Sequence, residues 1–248
     1  IGEPRSVLWT TGEIYHRTMK HREKYRDNEK EARRSIIRIP VAKSLNLAEC
    51  DLPVDPYLYG YWIGNGCATK PEITICDKDV QAVTQSVPYA PYNSIPQPGS
   101  VRVYYEELKS ILVPTFRDKV IPVAYLRASE RQRWELLQGL MDSDGCIGSR
   151  KAQSVYVSTI KQLAESVREL LWSLGIKNAM TEAPSTRCGK PTGETLYIIR
   201  FTTFDDQPTS KLHRKICRKR ERVKETRSCF HYLADIVPLK ERVPMQCI

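Results

Sequence analysis

Trp134-Glu135-Leu136-Leu137-Gln138-Gly139-Leu140-Met141-Asp142-Ser143-Asp144-Gly145 decides the fold, because a similar segment, Tyr57-Leu58-Tyr59-Gly60-Tyr61-Trp62-Ile63-Gly64-Asn65-Gly66, precedes it by seventy-nine positions. Both read as helices. Asp55 before Pro56 is an N-cap with proline at the first helical position, and Ser129 with Gln132 three residues on forms a capping box. A glycine closes each segment. A cysteine (Cys67, Cys146), a short polar turn, a strand and a helix beginning near Lys78 or Lys161 then follow. Self-similarity at a fixed offset marks a duplicated structural unit.

The second unit is the more regular. Residues 154–159 are rich in strand formers, and residues 162–174 place Leu163, Val167, Leu170, Leu171 and Leu174 at helical spacing. Further strands are expected at 101–105, 177–182 and 195–203, the last two flanking a turn with Gly189, Pro191 and Gly193. This order predicts an α+β fold of two similar halves, each a small antiparallel sheet backed by helices. Small residues four apart, Gly60 with Gly64 and Gly139 with Ser143, let the two motif helices pack closely across a pseudo-twofold axis. Asn65 and Asp144 then converge at the helix ends. Two convergent carboxylates there would suit a divalent metal acting on a phosphodiester, and here only one is a carboxylate. Tyr57, Tyr59, Tyr61 and Trp62 are read as packing residues of the first helix.

The 248 residues are 41% hydrophobic and 27% charged, which excludes a disordered or fibrous chain, and 39 Lys and Arg against 29 Asp and Glu give a net charge of +10, which suits an anionic partner. The longest uncharged stretch, 80–101, holds Pro88, Pro91, Pro96 and Pro98, so it cannot span a membrane and reads as a loop. The eight cysteines show no C-x-x-C pair and are read as reduced, intracellular thiols, which places the chain in the cytoplasm. Residues 16–34, with eight basic and four acidic side chains, read as a solvated helix or arm. Residues 35–41 form a short apolar strand that Pro40 ends or places at an edge. Residues 214–227, with eight basic and two acidic side chains, favour phosphate contact. His213 and His231 lack metal-ligand spacing.

Leu137 to Gly145 resembles the LAGLIDADG motif at nearly every position, and Leu58 to Gly66 resembles a diverged first copy, so the chain resembles a single-chain, two-motif LAGLIDADG homing endonuclease over roughly residues 53–205. Arg38-Ile39-Pro40-Val41, Lys119-Val120-Ile121-Pro122 and the closing residues 243–248 resemble segments of endonuclease domains nested in bacterial and phage inteins. The chain begins at Ile1 and stops at Ile248 without the splicing residues of an intein. The expectation is therefore the endonuclease portion without a competent splicing domain. Residues 1–52 are read as a basic arm or splicing-domain remnant, 53–128 and 129–205 as the two LAGLIDADG halves, and 206–248 as a basic flank.

The resemblance implies αββαββα-like halves whose sheets form a saddle on a long double-stranded DNA target, and a monomer that hydrolyses phosphodiester bonds with Mg²⁺, Mn²⁺ or Ca²⁺ being possible substitutes. It assigns Asp144 and Asn65 to the two catalytic-acid positions, with Gly64 and Ser143 beside them as metal-site residues. Lys119 falls where intein-type members place a catalytic lysine, and Lys215, with Lys211 behind it, is the candidate from the other half. Strand residues facing away from the helices are the candidates for DNA contact: Lys70, Glu72, Thr74 and Arg102 in the first half, Arg150, Lys151, Gln153, Arg187, Lys190 and Arg200 in the second, with Lys211 and Arg214 beyond. Asn65 removes one negative charge from the metal site, which leaves a nicking or slow enzyme or a DNA-binding regulator of the same fold as alternatives. An RNA maturase is a further alternative that the resemblance implies and the intein-like flanks argue against. A membrane-surface role is the weakest reading.

Overall fold

The structure is a computed structural model that describes residues 9–33, 36–148, 153–187, 190–202, 204, 207–217 and 229–237. Along the chain lie α1 (Thr11–Lys24), α2 (Glu29–Ala32), β1 (Arg38–Pro40), α3 (Pro56–Asn65), β2 (Glu72–Cys76), α4 (Val80–Ser86), β3 (Asn93–Gln97), β4 (Ser100–Tyr104), α5 (Val123–Leu126), α6 (Glu130–Ser143), β5 (Cys146–Ile147), β6 (Gln153–Ser158), α7 (Lys161–Ser173), β7 (Asn178–Arg187), β8 (Lys190–Thr202), α8 (His213–Ile216) and β9 (Phe230–Tyr232). They divide into a unit of Ala42–Glu225 and a smaller one of Ile1–Val41 with Thr226–Ile248.

In the larger unit the duplication is structural. The sheet β2-β4-β3 in the first half repeats as β6-β8-β7 in the second, where β5 adds an edge strand, and all the pairings are antiparallel. The isolated bridge Gly66–Ile73 stands where β5 pairs with β6. The second half therefore runs αββαββα as expected, and the first half follows the same order with its first strand reduced to that bridge. Ile73, Ile75 and Val103 form the inner face of the first sheet, and Tyr156, Ile199 and Phe201 that of the second. Leu163, Val167, Leu170 and Leu171 are the buried stripe of α7.

Both motif helices start as their caps dictate. The Asp55 side chain accepts from Leu58 N, and Ser129 closes its capping box with Gln132. The helices run parallel and nearly touch. A Cβ added at Gly139 would lie 2.1 Å from the Tyr57 carbonyl oxygen, and one at Gly60 would lie 2.3 Å from that of Leu136. Tyr57, Tyr59, Tyr61 and Trp62 are all buried, as expected of packing residues.

Two expectations are corrected. Residues 80–101 are not a loop: they open with α4, anchored by buried Val83 and standing where the repeat predicts a helix near Lys78, and they hold the edge strand β3. Pro96 is tolerated because β3 pairs on one side alone, with β4, so a missing N–H can face away from the ladder. The β7–β8 strands also extend further than expected, taking in Pro191 and Gly193; Gly193 adopts φ +79° close to a register shift between Pro184 and Thr186.

In the smaller unit, α1 carries a Thr10–Glu13 capping box and buries no residue, so the charged run is a solvated helix. β1 pairs antiparallel with β9, joining the two ends of the chain that flank the larger unit, and Arg38 lies 4.1 Å over the Phe230 ring.

Gly139→Ala is expected to cost about 3 kcal/mol or more, because backbone on the facing helix cannot yield to the added methyl. Gly99→Ala, in a turn at φ +75° with open space around it, is expected to cost only about 1 kcal/mol. Urea unfolding of the two variants gives the comparison, and equal losses would contradict the close approach.

Candidate functional site

The parallel packing brings the C-terminal ends of α3 and α6 together. A helix leaves its last carbonyls unpaired and carries a negative pole at that end, so two negative poles meet here. Lys119 and Lys215 occupy them. Lys119 Nζ donates to the carbonyls of Trp62 (2.7 Å), Ile63 (3.1 Å) and Gly66 (2.7 Å). Lys215 Nζ donates to those of Met141, Asp142 (3.1 Å) and Gly145 (2.8 Å). Every acceptor in the second set is the seventy-nine-residue counterpart of one in the first. The two lysines, only 3% and 5% exposed, hold equivalent seats.

Burial pushes Lys119 down to about 8, against the opposing pull of Asp144 and Cys67. Burial also lowers Lys215, while Asp142 draws it upward. Asp144, the C-cap of α6, has its carboxyl raised by desolvation and lowered by both lysines. It nevertheless opens on solvent, in a cleft of about 530 Å³ lined by Gly64, Lys119, Ser158 and Thr159. A Cβ at Gly64 would lie 2.6 Å from Ser143 Cβ and 2.9 Å from Asp144 Cγ, so the carboxyl sits against the end of the opposite motif. Asn65 closes α3 beside it, its side chain reaching the Tyr61 hydroxyl.

The structure thus brings together Gly64, Asn65, Ser143, Asp144, Lys119 and Lys215. It does not place Lys211 there: that ammonium lies 4.4 Å over the Tyr57 ring, with the Ser86 carbonyl as its acceptor at 3.5 Å. Arg214 is held by a two-pronged ion pair to buried Asp79, with distances of 2.6–3.1 Å.

The outer sheet faces follow the alternation. Thr74 and Arg102 are cross-strand partners opposite the core face, and Lys70 is exposed nearby. Glu72 shares their face but is only 6% exposed, tucked beneath Arg102 (3.9 Å) and Tyr104, its partner across the ladder. That corrects its reading as a groove-facing residue: a neighbouring arginine and tyrosine cover the carboxylate. Gln153 and Arg200 face outward in the second sheet, Arg200 donating to Thr181 Oγ1 at 2.6 Å. Lys190 is exposed at the start of β8, opposite Arg187. Arg150 and Lys151 lie outside the described residues.

Two buried groups escaped the sequence reading. Asp142, 2% exposed, accepts from the Tyr57 hydroxyl (3.1 Å), the Ser210 hydroxyl and Lys211 N (2.9 Å). Its one signal was the second acid in the later motif, where the earlier copy has Ile63. Arg133 is fully buried and donates to the carbonyls of Ala128, Ser173 and Leu45; backbone acceptors leave no trace in a sequence.

The donors at the helix ends, a carboxylate, an amide carbonyl and backbone carbonyls, are all hard oxygen and suit Mg²⁺ or Ca²⁺ chemistry. Among the described residues no three His, Cys, Asp or Glu side chains cluster as a metal site, so a cation there would need oxygens from its substrate.

Residues 131–226 match the family described as LAGLIDADG-like domain. That match lies in the second half of the chain and includes α6 from Arg131 on, the helix whose sequence α3 repeats. The chain is 31% identical over 209 residues to a replicative DNA helicase DnaB of Mycobacterium intracellulare, an alignment covering 84% of this chain and 34% of that protein. It thus spans about a third of that relative's length. Among solved structures, I-DmoI in complex with DNA and Mn matches with a TM-score of 0.41 at 17% identity, over 60% of this chain and 89% of that one. The N-terminal LAGLIDADG domain of WhiA matches with a TM-score of 0.39 at 10% identity, over 61% and 76%. No helix among the described residues is long and apolar enough to cross a membrane.

Lys119 is expected to titrate near pH 8 in a ¹³C-lysine NMR experiment. Its folded value lies below the unfolded one, so the unfolded chain binds more protons between about pH 8 and 10.5 and this group's contribution to stability rises with pH across that window. A midpoint at the ordinary lysine value would contradict the burial of this ammonium.

Proposed function

We propose that this protein is a site-specific DNA endonuclease that binds a long duplex as a monomer and hydrolyses phosphodiester bonds with a divalent cation. The observation that carries the reading is the meeting of two parallel helix ends, Gly64 against Ser143 and Asp144 with Asn65 next along α3, and a buried lysine seated on each end. The proposed groove contacts are Thr74, Arg102, Gln153 and Arg200 on the outer sheet faces with exposed Lys70 and Lys190; Arg187, Arg150 and Lys151 are proposed from the sequence alone. The similarity to a stretch of a DnaB protein supports a mobile, intein-type origin, and the β1–β9 pair suits a remnant of the surrounding domain.

In this reading Asp144, with the carbonyl of Asn65 and the Gly64 and Ser143 backbone, would hold Mg²⁺. The cation, when bound, supplies a Lewis acid for the phosphate and lowers the pKa of water. Lys119 and Lys215 hold positive charge beside the phosphates, where negative charge grows in the transition state. A lysine with a pKa near 8 can also take up or release a proton at neutral pH. Lys211 and Arg214, already engaged with Tyr57 and Asp79, contribute long-range charge.

Asn65 makes the two halves unequal. An amide oxygen is a weaker ligand for a hard cation than a carboxylate, and the site loses one of its two formal charges. Asn65→Asp is expected to raise Mg²⁺-dependent double-strand cleavage by at least about tenfold. The assay is cleavage of a randomised DNA library with the ends read by sequencing, with a chelator control that abolishes the products. Equal cleavage by both forms would overturn this role for position 65. The single carboxylate also favours a second reading, a DNA-binding regulator of the same fold. Tight duplex binding without a nicked or linear product from either form would support it.

Duplex affinity should fall steeply with salt, with a log–log slope of about −4 or steeper if five or more phosphates are neutralised. A fluorescence-anisotropy salt series measures that slope, and a value near zero would remove DNA as the partner of the basic faces.

A further inference from the structure

We infer that Asp142 is the positioning residue for Lys215, through a latch present in only one half of the molecule; the catalytic meaning of this rests on the endonuclease reading above. A carboxylate buried to 2% exposure is costly unless it is fully hydrogen-bonded, and Asp142 spends its oxygens on the segment before α8 and on Tyr57 of α3. Oδ1 accepts from the Ser210 hydroxyl, and Oδ2 accepts from Lys211 N at 2.9 Å and from the Tyr57 hydroxyl at 3.1 Å. The Ser210 hydroxyl oxygen in turn accepts from Leu212 N at 3.1 Å, and Leu212, 1% exposed, is the residue from which α8 starts. One turn later Lys215 reaches back to the carbonyls of Met141, Asp142 and Gly145. The segment is thus fastened to α6 at both ends, by the side chain of Asp142 at Ser210–Lys211 and by its backbone at Lys215.

The other lysine is delivered differently. The counterpart of Asp142 in α3 is Ile63, which is apolar and buried. There the Tyr59 hydroxyl donates to the Val120 carbonyl at 2.7 Å, next to Lys119, and a Thr115–Asp118 capping box shapes the approach. Equivalent seats are therefore filled by unrelated latches, and loss of the carboxylate should free one lysine alone. Arg214 with Asp79 also holds α8, but the arginine side chain is half exposed, so its grip is screened by solvent.

Pulsed reductive methylation of the whole chain, read by peptide mass spectrometry, tests this without requiring cleavage. In the unmodified sequence Lys119 and Lys215 should both react slowly. Asp142→Asn, which replaces an acceptor by an amide N–H₂ facing donors, should accelerate Lys215 by at least about tenfold and leave Lys119 unchanged, and Ser210→Ala should do the same to a smaller extent. Acceleration of both lysines alike would mean general loosening and would overturn the inference, as would a folded Asp142→Asn protein in which Lys215 stays slow. Strand-resolved nicking, in the Asn65→Asp background where needed, supplies the functional arm. Asp142→Asn should lose cleavage of the same strand as Lys215→Met and spare the other. If Lys215→Met leaves both strands cut, the proposed role of that lysine fails while the methylation result still decides the latch.

Discussion

The structure depends on the approach of α3 and α6 at Gly60 and Gly139. With either glycine replaced, a methyl would fall 2.1–2.3 Å from a carbonyl oxygen of the facing backbone, inside any contact real atoms make. Closeness there sets everything downstream. It places the C-terminal end of each helix within reach of the other, so that the Asp144 carboxyl lies beside Gly64. It also fixes the two sheets, each tied to its own motif helix through the residues after Gly66 and Gly145.

Bringing two helix ends together raises an electrostatic problem that the lysines relieve. Each end presents unpaired carbonyls and a negative pole, and Asp144 adds a carboxylate to the same place. Six carbonyls are satisfied by two ammonium groups, so the backbone there is both hydrogen-bonded and charge-balanced. The exposed Asp144 carboxylate then stands in the cleft with a lysine on either helix end, so positive and negative groups lie side by side there. The lysines would then have two duties, holding the helix ends and meeting the phosphate, and burial lowers the pKa of both despite the carbonyls that favour the charged form.

The repeat, the α+β class and the close approach of the two motif helices were legible because each rests on short-range signals: a cap, a glycine, a period of 3.6 or 2. Lys119 and Lys215 were found through resemblance, and their common seat was not legible at all, since backbone carbonyls carry no residue identity. Residues 80–101 were misread because the four prolines outweighed the short apolar period around Val83, and an edge strand tolerates a proline that a central one would not. Glu72 was placed on the correct face by alternation, but alternation says nothing about whether Arg102 and Tyr104 will cover it. Asp142 escaped because its partners, Ser210 and Lys211, lie sixty-eight and sixty-nine residues away.

The two halves share a scaffold but not the parts that would set their chemistry. Position 65 is an amide where position 144 is a carboxylate, and position 63 is isoleucine where position 142 is aspartate. Both differences take charge from the first motif and leave it on the second. Lys119 is thus held at a helix end whose own motif carries no acid, while Lys215 sits beside Asp142 and reaches the same centre as Asp144. A duplicated gene product free of symmetry constraints can hold one end of its site by charge and the other by packing. The end held by packing can lose its acid without loosening the lysine, because Tyr59 and Val120 keep Lys119 in place whatever stands at position 65.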